Sequence, residues 1–299
     1  MAELIHMRQR IKTVETIKKI THAMRLVSMS AHAKLGKQFA AIKTYHASIT
    51  AILNQVNALA ALNNHKTESP GPQRTLLIAV GSQKGLSGSF NSVLFYELSA
   101  YLSRQNRFVQ IISVGKKMVD LVSSTYKNRN IISFPNLSAT QAPAIAQTIT
   151  ERIITNQNNF TSVMILSMVP KNFFIQMART TPLLPLQLPP SPLQGYGVIA
   201  TPERLREGGE HETTAPTSHD YLWESDPAQL MEQLTKQYIT STIYKALLES
   251  LVAEQAARFV SMDSATRNAE KILEATKLKY NKLRQAKITK ELLELADTF

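Results

Sequence analysis

The segment Gly81-Ser-Gln-Lys-Gly-Leu-Ser-Gly88 is where chemistry would first be sought in this chain. It follows a short apolar run and precedes a helical pattern, the place where phosphate-binding loops lie. A P-loop needs Gly-Lys-Ser/Thr after a four-residue gap. Here Gly85 is followed by Leu86, and the dinucleotide pattern G-x-G-x-x-G does not match either. A tight strand-to-helix turn is the stronger reading. The histidines at 6, 22, 32, 46, 65, 211 and 219 include no i,i+4 pair of the kind a zinc helix uses. The carboxylates of Glu203, Glu207, Glu210 and Glu212 cluster without metal-site spacing. The 299 residues contain no cysteine, hence no disulfide, thiolate metal site or thiol nucleophile. No Gly-x-Ser-x-Gly elbow is present. No catalytic residue, cofactor or metal is therefore expected, and a mechanical or binding role comes forward.

The elements around that turn are set by where proline and glycine fall. All 13 prolines lie between Pro70 and Pro227, and no glycine follows Pro227. Residues 1–69 hold Gly36 as their single glycine. Proline costs about 3 kcal/mol inside a helix and glycine about 1 kcal/mol, so each terminus reads as one long helix. Leu4, Met7, Ile11 and Val14 step by three and four, as do Ile17, Ile20, Met24, Val27 and Ala31, and then Ile42, Tyr45, Ile49, Ile52, Val56 and Leu59. These are heptad seams, with phase slips expected at Val14–Ile17 and Ala31–Leu35. Near the C-terminus, Met262, Ala265, Ala269, Ile272, Thr276, Leu283 and Ala286 form another seam. Neither helix can bury its seam alone, and an antiparallel pair is predicted.

The middle has a different grammar. Strands are predicted at Thr75–Val80, Phe108–Val114, Ile131–Phe134 and Ser162–Met168, with an edge strand at Phe173–Arg179. Helices are predicted at Leu86–Arg104, Lys116–Lys127 and Ala144–Asn156. This alternation implies a small α/β domain with a mainly parallel sheet. The predicted fold class is thus α/β plus coiled coil, with long antiparallel terminal helices flanking that domain. Its parts are an N-terminal coil helix (1–69), an α/β foot (70–220) with a proline-rich loop at 182–220, and a C-terminal coil helix (221–299).

Charge is uneven. The net charge is +12. Residues 1–43 carry nine Lys or Arg against Glu3 and Glu15, and residues 258–290 carry nine against Asp263, Glu270 and Glu274. Antiparallel pairing puts both basic zones at one end of the rod, where an acidic partner would sit. No apolar run reaches the roughly 18–20 residues that span a bilayer, and the start MAELIHMRQR has no signal-peptide core. A soluble or peripheral chain is expected.

The ends also carry a readable text. Ile17-Lys-Lys-Ile-Thr-His-Ala-Met24 with Val27, then Glu254-Gln-Ala-Ala-Arg-Phe-Val-Ser-Met262 and Tyr280-Asn-Lys-Leu-Arg-Gln-Ala-Lys-Ile-Thr-Lys-Glu-Leu-Leu-Glu294, resemble the gamma subunit of rotary F-type ATP synthases. Gly81–Asn91 and Asp220-Tyr-Leu-Trp-Glu-Ser-Asp-Pro227 are similar to two further segments of that family. The resemblance implies a central rotor shaft that transmits rotation between a membrane c ring and a catalytic alpha/beta ring. ATP chemistry would then belong to partner subunits. It implies alpha and beta subunits, the epsilon subunit and the c ring as partners, no nucleic acid, and a peripheral position on the cytoplasmic face of a bacterial inner membrane. By the same resemblance Met24, Lys84, Arg258, Arg284, Gln285 and Thr289 contact the alpha/beta ring. Tyr221, Glu224 and Tyr244 meet the c ring or epsilon. Lys84 stands where the family has arginine, a change that keeps the charge and loses bidentate hydrogen bonding. The departures at Gln83, Lys84, Ser87, Ser89 and Phe90, with the proline-rich 182–220 stretch, imply a divergent or second-copy member.

Two other readings stay open on the residues alone. One is a basic coiled-coil adaptor for nucleic acid or anionic membrane, disfavoured by the scarcity of aromatics beside Tyr280 in the basic zones. The other is an α/β nucleotide-binding enzyme using the Gly81–Gly88 turn.

Overall fold

The computed structural model describes residues 2–61, 74–105, 108–156, 160–184 and 227–296. Two helices dominate it, α1 (Ala2–Ala61) and α5 (Pro227–Ala296). Between them lie strands β1 (Arg74–Val80), β2 (Phe108–Val114), β3 (Asn130–Phe134), β4 (Ser162–Pro170) and β5 (Gln176–Leu184). Helices α2 (Phe90–Arg104), α3 (Lys116–Thr125) and α4 (Ala142–Thr155) alternate with them. The fold class is therefore the one expected, α/β with a long antiparallel coil.

The sheet runs β3-β2-β1-β4-β5. Its first four strands are parallel, and β5 is antiparallel to β4. Alternate residues of β1 face opposite layers. Leu76, Ile78 and Val80 join α4, α1 and α5 in one core, while Leu77 and Ala79 join α2 and α3 in the other. With both faces covered, the strand must be apolar throughout, and Leu76–Val80 are all buried.

Three expected boundaries shift for local reasons. The helix expected from Leu86 begins at Phe90, because Leu86 (φ 64°) and Gly88 (φ 60°) are left-handed. The strand expected at Phe173–Arg179 begins at Gln176. Asn172 Oδ1 accepts from the N–H groups of Phe174 (2.9 Å) and Ile175 (2.8 Å), holding those residues in a turn. That strand runs on to Leu184 and takes residues 182–184 from the expected loop. Pro182 is tolerated there because β5 is an edge strand.

The coil corrects the sequence reading more sharply. Ile17, Ile20 and Val27 are exposed. The seam of α1 instead keeps one heptad phase from Met7, Ile11 and Val14 through Lys18, Thr21, Arg25 and Ser28 to Leu35, Ile42 and Ile49, without the expected slips. Tyr45 and Ile52 also lie outside it. On α5, Met262, Ala269, Thr276 and Leu283 are turned inward as expected, but Leu273 replaces Ile272, which is 46% exposed, and Ala286 faces out. Leu273→Ala should therefore cost about 2 kcal/mol, and Ile272→Ala less than about 0.5 kcal/mol. Urea denaturation of the two variants checks this, and equal losses would contradict the seam.

The joint between coil and α/β domain

Cross-coil contacts set the antiparallel register. Lys18 Nζ lies 2.5 Å from Glu270, Arg25 lies 2.7 Å from Asp263, and Lys277 lies 2.8 Å from Glu15. Thr266 Oγ1 donates to Thr21 Oγ1 at 2.9 Å. Asp263 also receives Arg267 at 2.7 Å. Each Lys contact holds its carboxyl, Glu15 or Glu270, below the usual range by hydrogen bonding and charge. These pairs bring the two basic zones side by side at the end of the coil away from the sheet.

Lower down, His46 Nδ1 is 3.1 Å from Ser241 Oγ, which itself donates to the Tyr238 carbonyl at 2.9 Å. That arrangement requires the Nδ1–H tautomer. Burial, with a smaller contribution from Lys245, lowers the His46 pKa to about 4 from the ordinary 6.5. The unfolded chain then takes up this proton below about 6.5, and the folded chain does so only near 4. Stability should therefore fall as pH drops through that window, by on the order of 1–2 kcal/mol after discounting for partial solvent exposure. Glu249, whose pKa burial raises, works in the opposite direction. The stability difference between wild type and His46→Gln across pH 7 to 4 isolates the histidine, and a pH-independent difference would contradict it.

The Gly81–Ser89 turn is held by α5. Glu254 and Arg258, i,i+4 neighbours, are 2% and 5% exposed and pair with each other. Glu254 accepts from the N–H of Gln83 (3.0 Å) and of Lys84 (3.3 Å). Arg258 Nε donates to the Gly85 carbonyl (3.2 Å), and its guanidinium reaches the Lys84 carbonyl (3.3 Å) and Gln255 Oε1 (2.8 Å). The turn is braced from behind. Gly81 N–H donates to the Val114 carbonyl (2.8 Å) and Lys117 N–H to the Ser82 carbonyl (3.1 Å). Gln83 Oε1 accepts from Leu137 N–H (2.9 Å).

A second fastening is aromatic. Phe173, at the β4–β5 turn, meets His32 of α1 edge-on at 5.0 Å and Phe259 of α5 at 5.2 Å. Desolvation there lowers the His32 pKa.

The structure thus separates the site residues expected from sequence. Met24 is half-buried on the coil. Lys84 is exposed at the turn, while Arg258 lies beneath it, its guanidinium engaged with the turn and Glu254. Arg284, Gln285 and Thr289 are exposed toward the C-terminal end of α5, and Thr289 Oγ1 donates to the Gln285 carbonyl at 3.0 Å. Tyr244 is half-buried near the lower coil, and it lines a groove with Tyr45, Gln147 and Lys236. Tyr221 and Glu224 lie outside the described residues. Glu254, Asp263 and Phe173 were not singled out from sequence. The first had a signal, a Glu and an Arg spaced i,i+4 inside the mostly apolar Leu251–Val260 stretch.

A doubly wound domain clamped to a long basic antiparallel coil is a stalk-like architecture. The family model described as ATP synthase matches residues 3–298. The chain is 30% identical to the ATP synthase gamma chain of Amoebophilus asiaticus, over 96% of this chain and 94% of that one. It is 29% identical to the ATP synthase gamma chain of Flavobacterium johnsoniae, over 99% and 97%. Its fold matches a chain in the Euglena gracilis mitochondrial ATP synthase OSCP/F1/c-ring structure (TM-score 0.62, 16% identity, 99% of this chain and 93% of that one). It also matches one in the Tetrahymena thermophila central stalk/c-ring structure (TM-score 0.58, 21% identity, 82% and 99%). The chain belongs to the ATP synthase gamma-chain family, and its function is that of the rotor shaft of that membrane-associated complex. No described helix is long and apolar enough to cross a membrane.

Proposed function

We propose that this chain is a non-catalytic torque shaft whose coil turns inside a ring of alpha and beta subunits. Its α/β foot (70–220), flanked by the coil helices (1–69 and 221–299), would rest on the c ring and epsilon at the cytoplasmic face of a bacterial inner membrane. The observation that carries this reading is the overhanging coil. Beyond Phe259, α5 extends roughly 55 Å past the sheet at 1.5 Å per residue. This part of the coil offers partners exposed Ile17, Ile20, Val27, Ile272 and Ile288 among basic side chains. Exposed ion pairs are worth about 0–1 kcal/mol each, which suits a surface that slides past acidic partner loops without sticking. Torque then rests on steric push by a stiff, asymmetric rod.

Met24, Lys84, Arg284, Gln285 and Thr289 are the proposed ring contacts. Arg258 acts from beneath by holding the turn that presents Lys84. Tyr221, Glu224 and Tyr244 are the proposed foot contacts. Co-purification tests the assignment: alpha and beta subunits should be captured with the chain, and a chain that never joins them would end this reading. Within an assembled complex, Gln285→Ala with Thr289→Ala should lower ATPase turnover by roughly 2- to 10-fold for each lost hydrogen bond of 0.5–1.5 kcal/mol. The melting temperature of the chain should stay unchanged, because both side chains are exposed. Unchanged turnover would contradict the contact.

A further inference from the structure

In doubly wound sheets, ligands bind in the crevice at the carboxyl ends of the strands, where the strand order reverses. Here that point lies between β1 and β4, since α2 and α3 cover one face and α4 the other. Helix α5 fills it. Leu247, Leu248, Leu251 and Val252 pack in the core of the α4 face, and Ala253 and Ala257 in the core of the α2–α3 face. So α5 passes from one layer to the other across the carboxyl ends of the central strands, and small residues allow the close approach. On the β1 side of the crevice stands Glu254, and on the β4 side Phe259 against Phe173.

The contacts on the β1 side have the form of anion recognition. Two successive backbone N–H groups, of Gln83 and Lys84, converge on one carboxylate, as they do in backbone nests that bind phosphate or carboxylate. A buried guanidinium completes the coordination. We propose that the turn after β1 is an anion-binding cradle whose ligand the chain supplies itself, through the Glu254 carboxylate. The ligand class is a small carboxylate. The place where a relative of this fold would hold a diffusible ligand is thereby the point where the coil is fastened to the domain. This holds for the free chain and does not depend on the rotor reading.

Cutting the side chain back tests the cradle. Glu254→Ala removes a CH2–carboxylate fragment, the size of acetate. Without additive, the full-length variant should melt about 5–10 °C below wild type. Acetate should restore at least half of that loss with saturation, while chloride at equal ionic strength should not. Wild type and Glu254→Gln should show only the common salt effect. Equal acetate effects on wild type and Glu254→Ala, or no acetate effect on a folded Glu254→Ala, would overturn the proposal. Should Glu254→Ala fail to fold at any acetate concentration, Glu254→Gln decides by amide hydrogen exchange. Protection at Gln83 and Lys84 should then fall about tenfold while Leu77 and Ile78 keep theirs. Unchanged protection at 83 and 84 would overturn the cradle.

Discussion

Gly115→Ala should destabilise the chain by about 3–5 kcal/mol, measured as a drop in the urea midpoint of the full-length protein. Two costs combine. Gly115 has φ 89° and ψ 135°, a conformation that only glycine adopts at low cost. Forcing alanine into it costs of order 1–3 kcal/mol. An added Cβ would also stand 2.4 Å from the Gly81 carbonyl oxygen and 2.9 Å from its carbon. These are backbone atoms, which cannot swing aside as a flexible side chain could, and overpacking of this kind costs about 1–3 kcal/mol more. The turns after β1 and β2 touch at this point, since Gly81 N–H bonds the Val114 carbonyl. Pushing them apart would displace the turn that Glu254 holds. The effect should therefore reach the coil joint, and hydrogen exchange at Gln83 and Lys84 should rise along with the global loss. A midpoint within experimental error of wild type would show that the two turns are not in contact.

Much of this architecture could be read from the residues, and the failures have identifiable causes. The long helices follow from where Pro and Gly are missing, and the parallel strands from runs such as Thr75–Val80 that are apolar on both faces. Apolar residues alone do not trace the coil seam. Ile17, Ile20 and Val27 face outward, while Lys18, Thr21, Arg25 and Ser28 lie in the seam. Those polar side chains can occupy the seam because Glu270, Asp263 and Thr266 answer several of them from the other helix. Such polar pairs weaken a coil relative to leucine but specify its register. One uninterrupted heptad phase from Met7 to Leu35 would have removed both expected slips.

The joint was less legible because it depends on pairings between distant segments. Gln83 and Glu254 are 171 residues apart, and nothing local to either announces the other. The Gly81–Gly88 segment is a turn, yet its resemblance to a phosphate loop also has a physical basis. The turn does present N–H groups to an anion, which is a carboxylate of the same chain.

Arg258→Ala should be nearly as damaging as the glycine change, at about 3–5 kcal/mol. Removing one member of a buried ion pair leaves the other charged and uncompensated, and that penalty exceeds the net worth of the pair. Glu254 would remain, 2% exposed, with only two backbone N–H groups and no countercharge. The Lys84 and Gly85 carbonyls would each lose a donor. The double variant, Glu254→Ala with Arg258→Ala, should be less destabilised than the sum of the single variants, with a coupling energy of roughly 1–3 kcal/mol. Arg258→Lys should recover only part of the loss, because one ammonium cannot serve Glu254 and two carbonyls in the fixed fork geometry of a guanidinium. Additive losses in the cycle would mean that the pair does not act as a unit. In an assembled complex the same variant should loosen the turn that presents Lys84 while leaving exposed Arg284 and Gln285 in place. Coupling should then suffer at the joint without loss of the proposed ring contacts higher on the coil. Proton or sodium pumping per ATP hydrolysed should fall, where a purely structural role would lower complex yield and leave that ratio unchanged.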